Sequence, residues 1–204
     1  LRRAIAMNYR APEAYMALAQ TNLRLAEQKA ASKNTKTART AEAYRNQALA
    51  ALRRGVANVS DPSGKRDLAL KLASLLLEKG RSAEAMQLVQ EILSENPLDG
   101  KAAYLKGKAQ FYAGDYAAAR ATLEVALALN PNDPEVLCEL GHVAKEEGRD
   151  AVAVDFYQRA YKADPLNEEA AVAYRNLLTQ LQIVGQKPPE YLYLSDDEHD
   201  YLVQ

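Results

Sequence analysis

Cys138 and His142 stand four residues apart in PEVLCELGHVAKE, a spacing that puts a thiol and an imidazole on one face of a helix. Such a pair could hold a metal, but a closed zinc site takes about four donors and no others are evident nearby in the sequence. The pair therefore reads as a buried thiol beside a surface histidine, with no metal and no cofactor expected. Glu146 and Glu147 are adjacent, so their side chains diverge on a helix and cannot share acid and base work. There is no glycine-rich phosphate loop, and no Ser, His and Asp arrangement that spacing can vouch for. The expectation is a chain with no catalytic residues, not an enzyme, whose work is done by surface.

The elements that would carry such a surface recur at a fixed interval. Gly80, Gly114 and Gly148 lie 34 residues apart, and so do Ala85, Ala119 and Ala153, and Pro97, Pro131 and Pro165. Three residue types keeping one step mark an internal repeat. Between Gly and Pro there is room for one helix, so each unit is a helix, a tight turn and a second helix. Gly114 can take the left-handed conformation that closes the first helix, and Asp115 can cap the next. The second helix must stop at Asn130, because Pro131 lacks an amide hydrogen and disfavours helix in the residue before it. Asp133, Pro134 and Glu135 then open the following helix with a cap, a preset first position and an acid near the positive end of the dipole.

This pattern resembles the tetratricopeptide repeat family. With units counted from Arg66, Gly100 and Pro134, the small residue of position 8 is Ala73, Gly107 and Gly141, and that of position 20 is Ala85, Ala119 and Ala153. Position 24 is Val89, Leu123 and Tyr157. Ile92 at position 27, Lys106 at position 7, and Ala69 and Ala103 at position 4 depart from the family pattern, so the first of these units is expected to pack less closely. The resemblance implies an all-α fold, a right-handed alpha solenoid of antiparallel helix pairs. It covers three regular repeats at 66–99, 100–133 and 134–167, with a capping helix over 168–185.

The family's first helices line a concave groove through positions 2, 5, 9, 12 and 13. Carried over, the middle unit supplies Lys101, Tyr104, Lys108, Phe111 and Tyr112, the unit before it Leu70 and Ser74, and the unit after it Cys138, His142 and Lys145. A surface of lysines among aromatics suits a peptide or partner protein bearing acids and large apolar or aromatic side chains. The competing reading of each aromatic is that it packs between neighbouring repeats. Chaperone-binding members of the family grip a C-terminal carboxylate with Lys at position 5 and Asn at position 9. Leu70, Tyr104 and Cys138 occupy position 5 here, so that clamp is absent from the regular repeats.

The flanks depart from the period. Pro12 opens a first helix with Tyr15, Leu18 and Ala19 in register, and Ala48, Leu52 and Gly55 mark its second helix. Measured from Ala4 to Gly55, this repeat over 1–60 holds about 17 residues too many, inserted near 27–40. Both helices are expected to run past the usual turn, joined by a polar loop near Ser32 to Thr37, either as an exposed insertion or as a partner-contacting arm. Residues 61–65 read as a short irregular linker. Gly185 should end the capping helix, and the tail from 186 mixes Tyr and Leu with acids, residues 190–204 carrying five acids and no Lys or Arg. It complements the lysine and tyrosine groove, which makes self-association through 188–204 an alternative to a disordered terminus.

Composition sets outer limits. No apolar run approaches the ~20 residues a membrane span requires, and one cysteine excludes an internal disulfide. The chain opens on Leu1 and looks excised from something longer, so a missing leader says nothing, and the compartment stays open between cytoplasm and periplasm. Residues 1–60 carry eleven bases against three acids. Nucleic-acid binding through that basic repeat is therefore an alternative to a peptide scaffold, but no recognition motif accompanies it. A third reading is a pure self-assembly module.

Overall fold

A computed structural model describes residues 11–31 and 35–180. Among them the secondary structure is entirely helical. The helices are α1 (Pro12–Ala30), α2 (Thr35–Asn58), α3 (Pro62–Glu78), α4 (Ser82–Glu95), α5 (Gly100–Tyr112), α6 (Tyr116–Leu129), α7 (Pro134–Glu146), α8 (Asp150–Ala163) and α9 (Glu168–Gln180). None of the described helices is long and apolar enough to cross a membrane. The chain divides into two compact units, Leu1–Gly114 and Asp115–Gln204, so the division falls inside the middle repeat, at its turn.

The helix ends have the causes that the sequence supplies. Gly80, Gly114 and Gly148 take φ of 70°, 80° and 73°, the left-handed conformation that ends α3, α5 and α7. Asp115 accepts a hydrogen bond from the amide of Ala118 at 3.1 Å, which caps α6. Asp133 accepts from the amides of Glu135 and Val136 at 3.1 and 3.3 Å, which caps α7. α6 stops at Leu129, one residue short of Asn130, as Pro131 requires.

In the first unit α1 packs on α2, α2 on α3, α3 on α4 and α4 on α5, with α3 also against α5. Leu52, Leu68, Leu75 and Leu76 are fully buried in its core beside Tyr15. Each such side chain contributes roughly 1.5–3 kcal/mol by leaving water. The lengthened repeat places its extra residues in helix: α1 has 19 residues and α2 has 24, where the regular helices from α4 onward have 13 or 14. The joining residues 32–34 lie outside the described residues.

Residues 61–65 are not an irregular linker. α3 begins at Pro62, whose fixed φ suits the first helical position, and the Asp61 side chain accepts from the amide of Gly64 at 2.6 Å. The proline and the cap together start the helix before Arg66. Where Ala69 and Ile92 break the family pattern, a cleft of about 440 Å³ opens between them, bordered by Val56 and Leu88.

In the second unit α6 packs on α7, α7 on α8 and α8 on α9. Its core gathers Leu137, Tyr157, Tyr161, Tyr174 and Leu177, and the rings of Tyr161 and Tyr174 stack with centroids 6.4 Å apart. α9 buries Ala170, Tyr174, Leu177 and Leu178. The upstream repeat end around Ala4, the Gly185 stop and the acidic tail fall outside the described residues.

Candidate functional site

In the first unit the candidate surface is carried by α5, held by an unusual cap. Asp99 is 3% exposed and accepts from the amide of Ala102 at 3.0 Å, and its second partner is Arg66 of α3, whose Nη2 lies 2.9 Å from Oδ1 and whose Nε also donates to Oδ2. Burial alone would raise the Asp99 pKa, but the Arg66 hydrogen bonds and the backbone amides outweigh it and hold the carboxyl below its ordinary value. The α5 N-terminus is thereby tied to α3.

Along α5, Tyr104 and Lys108 meet one turn apart. The lysine ammonium donates to the tyrosine hydroxyl at 3.3 Å and sits 5.6 Å from the ring centroid. Phe111 and Tyr112 lie with ring centroids 5.8 Å apart at 59°, and Tyr112 is 51% exposed. Lys101 is exposed at the start of the helix, and Tyr104 is half-buried, one side against the core. On α3, Ser74 is half-buried and Leu70 is buried. Leu70 therefore supports the surface from below and offers little of itself to a ligand.

The second unit carries Cys138, His142 and Lys145 on α7. Lys145 is exposed, His142 is half-buried and Cys138 is buried. The thiol lies 3.6 Å from His142 Nε2, and the other ring nitrogen, Nδ1, lies 2.8 Å from the hydroxyl of buried Tyr157 on α8. The two rings stand edge to face with centroids 5.3 Å apart. Burial, and after it the charges of Cys138 and Glu139, push the Tyr157 hydroxyl above its ordinary pKa, so it stays protonated. Glu169 of α9 completes the group, with Oε1 3.4 Å from His142 Nε2.

Glu169 was not among the candidate residues read from sequence. Cys138 and His142 show themselves by spacing within one helix, whereas Glu169 arrives from the helix after next. The signal that could have found it is the register: counted from Glu168, Glu169 occupies position 2, as Lys101 does in the middle unit.

The model of the tetratricopeptide repeat matches three overlapping spans, 45–100, 70–134 and 104–168. The chain belongs to the tetratricopeptide repeat family, and its fold is the all-α solenoid of helix pairs that the sequence pattern implies. No curated protein sequence matches it. Among solved structures it is similar to TTC0263, a tetratricopeptide repeat protein of Thermus thermophilus, with TM-score 0.65 and 24% identity over 87% of each chain. It is similar to MamA from Desulfovibrio magneticus RS-1, with TM-score 0.57 and 17% identity over 84% of this chain and 85% of that one. It is also similar to the first tetratricopeptide domain of Spaghetti (RPAP3) bound to the HSP90 peptide SRMEEVD, with TM-score 0.53 and 20% identity over 59% of this chain and 95% of that one. At these identities the likeness is one of fold.

Proposed function

We propose that the chain is a non-catalytic interaction scaffold, part of a larger assembly, that binds a peptide segment or partner protein carrying acids and aromatic side chains. The observation that carries this reading is the α5 surface: Lys108 braced on Tyr104, with Lys101 at one end of the helix and exposed Tyr112 at the other. Lysines there steer an acidic segment, and the aromatic rings supply apolar area at low entropic cost. A fold neighbour holding SRMEEVD, a peptide with three acids, supports the chemistry. Leu70, Tyr104 and Cys138 stand where a carboxylate clamp would need lysine, so the segment bound here is read by its side chains rather than by a chain end. Lys145, on α7, offers the second unit's own contribution.

The acidic tail at 188–204 has the composition of such a ligand, which makes docking of a tail, the chain's own or a neighbour's, the first occupant to test. The basic first repeat is the weaker binding surface: Arg53 pairs with Glu84 at 2.7 Å, and Arg45 lies 3.9 Å from Glu42, so part of its charge is met within the fold.

A photo-crosslinking residue placed at position 112 tests the reading in native extract. The expected adduct is protein, is sensitive to protease, and is suppressed by an acidic aromatic peptide. A nuclease-sensitive adduct, or one indifferent to the peptide, contradicts it.

A further inference from the structure

We propose that Cys138, His142 and Glu169 form a binding site for one divalent transition-metal ion of the zinc class, oriented by Tyr157. The donors converge on one ring nitrogen. Cys138 Sγ and Glu169 Oε1 lie 3.6 and 3.4 Å from the same atom, His142 Nε2. All three donor atoms lie within 4.8 Å of one another. A tetrahedral ion with a Zn–S bond of about 2.3 Å and Zn–N and Zn–O bonds of about 2.0–2.1 Å sets S and N about 3.6 Å apart, and N and O about 3.4 Å apart. Two edges of the coordination tetrahedron already have the required length. The third, between sulfur and carboxylate, is adjusted by Glu169, whose side chain is 63% exposed and sits on the first turn of α9.

The second ring nitrogen supports the assignment. A metal on Nε2 needs the imidazole neutral with its proton on Nδ1, and that proton needs an acceptor. Tyr157 supplies one, its oxygen 2.8 Å from Nδ1 on a ring fixed by burial. Binding then deprotonates Cys138, the thiol proton passing to solvent, and leaves one tetrahedral position for water. Thiolate, imidazole and carboxylate together suit zinc, whereas magnesium or calcium would shun the sulfur. The same geometry argues against a nucleophilic triad, in which thiol and carboxylate must sit on opposite nitrogens of the histidine. This inference is independent of the peptide-binding surface on α5.

Titration of the full chain with Co2+ under reducing conditions tests it. One equivalent should bind, with a thiolate-to-metal charge-transfer band and the visible absorption of a tetrahedral ion, and Zn2+ should displace it. Cys138→Ser should abolish the charge-transfer band. Glu169→Gln, at an exposed position that leaves the fold intact, should weaken Co2+ binding at least tenfold. Tyr157→Phe should weaken it about 10–100-fold while the band keeps its form, as expected for a residue that orients a ligand. Absence of a thiolate band at one equivalent, or unchanged affinity in Glu169→Gln, overturns the site and leaves a histidine and glutamate ion pair beside a thiol.

Discussion

A β-carbon placed on Gly141 would lie 2.5 Å from Cε1 of Tyr157. α7 and α8 approach so closely here that the small residue at position 8 and the large one at position 24 are a single packing requirement. Gly141→Ala must displace a buried ring that also orients His142, and the overpacking should cost about 1–3 kcal/mol. Urea unfolding followed by circular dichroism measures it. A stability equal to that of the wild type would show that the ring can give way and that the contact does not constrain the helix pair.

Ala119 makes a related demand in α6, where it is fully buried at position 20. Ala119→Leu adds three carbons to a site that has no room for them, with an expected loss of about 1–3 kcal/mol and a melting temperature lower by several degrees. An unchanged melt would sink the register from which the candidate surface was assigned.

The Asp99 and Arg66 pair gives the first unit a dependence on acid. A carboxyl held below its ordinary pKa stabilises the fold at pH values above the unfolded pKa of about 4, and that contribution is lost as pH falls through the depressed native value. Stability should therefore decline below about pH 4, and Asp99→Asn, which keeps a capping oxygen, should flatten that part of the profile. Asp99→Ala removes cap and charge together and should cost about 2–3 kcal/mol at neutral pH, a figure set low because Arg66 is partly exposed and can rehydrate. A wild-type acid profile in Asp99→Asn would contradict the role given to the pair.

The helix boundaries were legible because each has a local cause. Gly114 must take positive φ, Asp115 and Asp133 have amides within reach, and Pro131 can only stop a helix. The family register went further and marked Lys101, Tyr104, Lys108, Phe111 and Tyr112 as one helix face. What it could not give is depth: Leu70 and Cys138 share position 5 with Tyr104 but are buried, because exposure depends on neighbouring helices rather than on position alone. Contacts between units of the repeat were hidden for the same reason. Arg66 and Asp99 are 33 residues apart and Cys138 and Glu169 are 31 apart, and only folding of the repeats brings them together. At residues 61–65 the local signals outweigh the repeat period: Asp61 caps α3 and Pro62 takes its first position, so the extra residues between repeats are helical.

Whether the α5 surface binds acidic, aromatic peptide is measured by titration of a labelled peptide. A synthetic peptide with the sequence of residues 188–204 is titrated into the full chain and into a chain ending at Lys187, and binding is followed by fluorescence anisotropy. Saturable binding is expected, weakened about tenfold or more by Lys108→Glu and by Tyr104→Ala, and lost when the peptide's acids are replaced by their amides. Absence of saturable binding to either chain, or an affinity that neither substitution changes, would contradict it.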